Sequence, residues 1–97
     1  MFTRKQYMDG ECSYADYYGD VVKAAGITIS QEIADQVETA LAHADEPLNS
    51  ISLARWDVWA APWRVALQRA FKERGDFWSM GGAVCAMKEA ARRHVKV

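Results

Sequence analysis

Apolar positions along the chain recur with the helical period of three and four residues, and no stretch shows strand-like alternation. Thr3 followed by Gln6 predicts a short capped turn over residues 4–8. Ser13 opens a second helix running to about Ala25 and stopped by Gly26, with Tyr14, Tyr17, Tyr18, Val21 and Ala25 on its apolar face. Thr28 and Ser30 both suit the cap of a third helix, whose stripe is Ile33, Val37, Ala40, Leu41 and Ala44 and which Pro47 closes. Ser50 or Ser52 opens a fourth, reaching about Ala60, where Pro62 demands either a break or a kink before the segment 62–74. Gly75 ends that segment, and Asp76 is the expected cap of a last helix from Phe77 to about His94.

These elements predict an all-α protein: a compact bundle of about four main helices plus a short N-terminal helical turn, one domain over residues 1–97. The expected core is Tyr18, Val21, Ile33, Val37, Leu41, Leu53, Trp56, Leu67, Phe71, Val84 and Met87. Trp56, Trp59 and Trp63 are spaced i, i+3, i+7 and share one helical face, which Trp78 can approach across the Gly75 turn. Rings this large in a small domain are expected to serve chiefly as core. The Gly81–Gly82 pair inside the last helix lowers its propensity by about 1 kcal/mol per glycine relative to alanine, so another helix is expected to approach closely there.

Composition adds constraints. Half the residues are hydrophobic (51%) and 26% are charged, which is a globular balance. The net charge of −1 conceals a split: residues 1–50 carry three basic and nine acidic side chains, and residues 51–97 carry nine basic and four acidic. The simplest expectation is that the two halves attract each other inside the fold. No apolar run reaches membrane-spanning length and the start lacks the apolar segment of a secretory signal, so a cytoplasmic protein without membrane association is expected. Cys12 and Cys85 then read as reduced thiols.

Catalytic chemistry is hard to place. Cys12, His43, Cys85 and His94 lack the paired spacing of a zinc site, and no phosphate-binding glycine loop occurs, so neither metal nor cofactor is expected. Neither cysteine carries a local motif that pairs it with a base. Binding surfaces are easier to name. The acidic, aromatic face of Tyr14, Asp16, Tyr17 and Asp20 is the preferred candidate for contacting another protein, and could alternatively imitate nucleic acid in a basic groove. Arg64, Arg69, Lys72, Arg74, Arg92 and Arg93 form the alternative candidate, a basic set able to hold nucleic-acid phosphates. The residues opening the last helix, Asp76 to Met80, are acidic and then apolar, which argues against reading of base edges.

The strings TRKQYM, the Tyr17–Tyr18 pair, LNSISLARWD and GDFWSMGGAVCAMKEAARR resemble a family of short phage- and prophage-borne proteins. Its members share a start of the TRKEYM type, a central L-N-x-I-x-L-x-x-W-D segment and a closing G-D…G-x-V-C-x-x-K-x-A-A-R stretch. The resemblance runs from Thr3 to Arg93, with Ser52 standing where the family often has a helix-opening proline. It brings no catalytic residues. It implies an accessory protein of a bacterial cytoplasm that binds and modulates a host protein, with inhibition of a defence system such as CRISPR as its most specific form. A homodimer is compatible with the apolar content and the glycine pair.

Overall fold

Four of the described helix starts are set by a short polar side chain. In the computed structural model, which describes residues 1–42 and 50–95 and the side chains of 1–39 and 54–94, Thr3 and Gln6 form a reciprocal capping box that begins α1 (Arg4–Met8). Ser13 and Asp16 do the same for α2 (Tyr14–Ala25). Ser30, rather than Thr28, caps α3 (Gln31–Ala42) by accepting from the Ile33 amide at 3.2 Å. The fourth rod is α4 (Ser50–Ala60), a 3-10 turn (Ala61–Trp63) and α5 (Arg64–Glu73), joined without a loop. Pro62 lies in the tight turn, where its missing amide hydrogen breaks no α-helical ladder, so the chain bends there without leaving helical structure.

The last helix, α6 (Met80–Val95), starts three residues later than the cap signal at Asp76 predicts. Ser79 caps it, accepting from the Gly82 amide at 3.0 Å. Asp76 is taken elsewhere: its carboxylate turns inward to accept the Tyr17 phenol at 2.7 Å and lies 3.3 Å from Arg4. Helices α2 and α5 end on Gly26 and Gly75 at φ 69° and 71°, a left-handed conformation that glycine adopts without penalty.

The described residues are all-α, with no strand, and four helical rods pack around one core. Their extents are 31 × 30 × 25 Å. Helix α6 is the hub: α2, α3 and α4 pack on it, and α2 also packs on α5 and α1. This position explains its composition. Ala83, Ala86, Ala90 and Ala91 are small enough to admit three neighbours, while Val84 and Met87 fill the gaps. Among the described residues no helix is long and apolar enough to cross a membrane.

Of the expected core, Val21, Val37, Trp56, Leu67, Phe71, Val84 and Met87 are buried. Tyr18 and Ile33 are only half-buried and pack against the edge of that core. Leu41 and Leu53 fall outside the described side chains, as do Ala40 and Ala44. The face that α2 buries is rotated from the expected stripe: Tyr17, Gly19, Val21 and Val22 face inward, because α5 and α6 press on it from two sides.

The tryptophans are core. Trp56 and Trp59 are buried and meet edge to face, with centroids 4.9 Å apart. Trp63 and Trp78 are half-buried against the same cluster, and the Arg64 guanidinium lies 5.0 Å above the Trp78 ring. The glycine pair divides. At Gly82 an added Cβ would stand 3.3 Å from the Phe71 ring, so this glycine admits close packing of α5, whereas Gly81 faces open space.

The charge split is used partly inside the fold. Arg74, from the basic half, is buried at 3% exposure; its Nε donates to Asp20, from the acidic half, at 2.9 Å, and its Nη1 donates to the Ala70 carbonyl at 2.7 Å. Asp20 also accepts the Phe2 amide, and the Arg4 amide donates to the Arg74 carbonyl. One buried guanidinium thereby ties α5, α2 and the N-terminal segment together.

Candidate functional site

The two surfaces expected from sequence meet where the start of α2 crosses the end of α6. The N-terminal half of α2 presents Tyr14 and Ala15, α3 contributes Glu38, and α6 contributes Lys88, Glu89, Ala91 and Arg92; together they line an open hollow of about 380 Å³. Its walls are mainly apolar and its rim is charged.

Tyr14 remains 38% exposed at this hollow, with its hydroxyl donating to the Cys85 carbonyl at 3.3 Å and its ring against Tyr18 at 4.7 Å. Burial and the adjoining Cys85 hold its phenol well above the ordinary tyrosine range, so the ring acts as an uncharged, braced wall. Asp16 is also exposed, although its carboxylate is engaged by the Ser13 amide.

Tyr17 and Asp20 require a correction. Tyr17 has no exposed surface: its ring stacks on Tyr7 at 5.1 Å, and its hydroxyl is bound to Asp76. Burial, followed by that hydrogen bond, raises its pKa. Asp20 is half-buried and committed to Arg74 and Phe2. The acidic, aromatic face is therefore narrower than the sequence suggests, with Tyr14 and Asp16 left outward.

The basic set also changes. Arg74 is interior and unable to reach a phosphate. Arg92 and Arg93 share one carboxylate, that of Glu89, which is 1% exposed; Arg93 Nε lies 3.0 Å from it, and Arg92 embraces it through Nε and Nη2. Arg64 is stacked on Trp78, while Arg69 and Lys72 are exposed on α5. The six are thus not six free cations, and the structure gathers Arg92, not the whole set, beside Tyr14.

Glu89 and Asp76 are the residues that sequence reasoning missed as organisers. Burial alone would raise the Glu89 pKa, but hydrogen bonds and charge from Arg92 and Arg93 outweigh it, and the net displacement is downward from the ordinary value of 4.5. A carboxylate stabilised in the folded state supports folding above its unfolded pKa and loses that contribution as pH falls through the folded value. The stability advantage of the wild type over Glu89→Gln is accordingly expected to be constant near neutral pH and to shrink below about pH 4.5, as thermal unfolding across a pH series would reveal. An advantage independent of pH down to acid unfolding would assign the carboxylate's charge no role.

Among the described residues no three His, Cys, Asp or Glu side chains come together as a metal site, and Cys12 and Cys85 are free, half-buried thiols. His43, one member of the weighed zinc set, lies outside the described residues. Comparison with protein-family models, with curated proteins and with solved structures finds no match for the chain.

Proposed function

We propose that this is a non-enzymatic protein that acts by binding another protein, with the hollow framed by Tyr14, Glu38, Lys88 and Arg92 as its contact surface. One observation carries the reading: a large, braced, half-exposed aromatic ring stands beside an arginine at the edge of an apolar-walled concavity. Tyrosine and arginine are enriched among the residues that dominate protein interfaces, especially where they border apolar hollows. The flanking Glu38 and Lys88 give such a contact orientation through opposite charges. The resemblance of the sequence to phage-borne accessory proteins supplies the context: a bacterial cytoplasm, a host protein as target, and inhibition of a defence system, as an anti-CRISPR protein does, as the most specific form.

The reading is tested by affinity capture from host lysate with the wild type, Tyr14→Ala, Lys88→Glu and Arg69→Ala. A partner held by the wild type and by Arg69→Ala but lost from the other two variants is the expected result. Equal recovery with all four would remove the hollow as the contact. Capture of nucleic acid instead, declining steeply with salt and lost in Arg69→Ala, would favour the basic face of α5.

A further inference from the structure

A second concavity, separate from the proposed protein contact, lies where the ends of α2 and α6 meet the segment entering α3. Val22, Ile27, Ile29 and Ala90 form its floor, and Lys23, Thr28, Arg93 and His94 form its rim. Its volume is about 290 Å³, close to the lower bound of roughly 300 Å³ for small-ligand pockets. The four floor residues are each only 6–7% exposed. No carboxylate lines it.

Two of the carboxylates near its cations, Glu89 and Asp20, are already paired with arginines. Glu89 holds Arg93 through Nε at 3.0 Å while also holding Arg92, so these three side chains together retain one positive charge. Asp16 and Asp20 share a neighbouring hollow with Lys23 and Arg93 and do not line this one; Asp20 is paired with Arg74 and the Phe2 amide, and Asp16 accepts the Ser13 amide. Lys23 forms no ion pair among the described residues. His94 Nε2 rests 3.0 Å from Gln31 Oε1, which orients its ring at the rim.

Offsetting the carbonyl ends of α2 and α6, about half a charge each, is one task for these cations. The groove itself is lined by basic side chains and by no carboxylate. The result is an apolar floor under a rim whose charged side chains, Lys23 and Arg93, are both basic, in a protein whose net charge is −1.

We propose that this groove binds an apolar carboxylate, its hydrocarbon body on Val22, Ile27, Ile29 and Ala90 and its carboxylate among Lys23, Arg93 and His94. Either an aliphatic acid or the carboxyl end of a polypeptide with an apolar last residue has this chemistry.

Amide-resolved NMR titration of the full chain separates the cases. The probes are octanoate, octanol, and an acetylated tetrapeptide ending in leucine as the free acid or the amide. Octanoate is expected to shift amides of residues 22–29 and 90–94 and to bind at least about tenfold more tightly than octanol, because only the acid makes charge-assisted hydrogen bonds. Lys23→Gln and Thr28→Glu, both at exposed positions, are expected to weaken octanoate about tenfold or more while lowering the unfolding temperature by no more than about 5 °C. Tighter binding of the free-acid peptide than of octanoate assigns the groove to a chain end, and the reverse order assigns it to a small acid. Equal binding of octanoate and octanol together with equal binding of the peptide acid and amide, or no binding by either acid, overturns the proposal.

Discussion

Replacing Arg74 with alanine is expected to lower the unfolding free energy by about 3–5 kcal/mol, the range observed when one partner of a buried ion pair is removed. The mechanism is specific. The guanidinium is almost wholly interior, and its loss strands Asp20 and removes a donor from the Ala70 carbonyl. A domain of this size has a total stability of about 5–15 kcal/mol, so the variant is expected to be marginal at 25 °C and to melt at least about 10 °C lower. Chemical unfolding of Arg74→Ala, Asp20→Asn and their combination tests the assignment. Because both substitutions cut the same link, the double variant should lose clearly less than the sum of the singles. Full additivity would show that the two side chains do not act together.

Tyr17 is expected to have the second large effect. Truncation to alanine removes a ring with no exposed surface from between Tyr7 and Tyr18, and should destabilise by about 3–5 kcal/mol, as for other buried aromatic residues. Tyr17→Phe keeps the ring and loses only the hydroxyl bound to Asp76 at 2.7 Å. A hydrogen bond to a charged group contributes about 1.5–3 kcal/mol, and the lower end is expected because Arg4 and the Phe77 amide remain on that carboxylate. Urea unfolding of both variants distinguishes ring from hydroxyl. A neutral Tyr17→Phe would remove the phenol–carboxylate bond from the forces that hold α2 to the α5–α6 turn. Loss of a binding partner by Tyr17→Ala would report unfolding rather than contact, which makes Tyr14 the residue for probing the surface.

Local signals in the sequence were good guides where they acted locally. Thr3, Ser13 and Gly26 placed α1 and α2 because a cap needs only its own helix. The last helix was misplaced because Asp76 has the right chemistry for a cap but finds two distant partners, Tyr17 and Arg4, and no local pattern reports a neighbour 59 residues away. The same limit affected the candidate surface. Tyr14 and Tyr17 are both tyrosines on one helix, and only the placement of α1 and α5 decides that one is outward and the other sealed. Glu89 was more accessible to reasoning. A carboxylate followed by arginines three and four residues on is a visible pairing pattern, but its burial depends on α6 being surrounded by other helices.

Gly19 sits inside α2 directly beneath the Arg93 guanidinium, where even a methyl group would be 1.8 Å from Nη2. That obstacle is the tip of a long, half-exposed side chain, which can swing aside at little cost. Alanine at 19 suits a helix better by about 1 kcal/mol, so Gly19→Ala is expected to leave the melting temperature unchanged or slightly raised while it frees the Arg93 guanidinium from the Ala15 carbonyl.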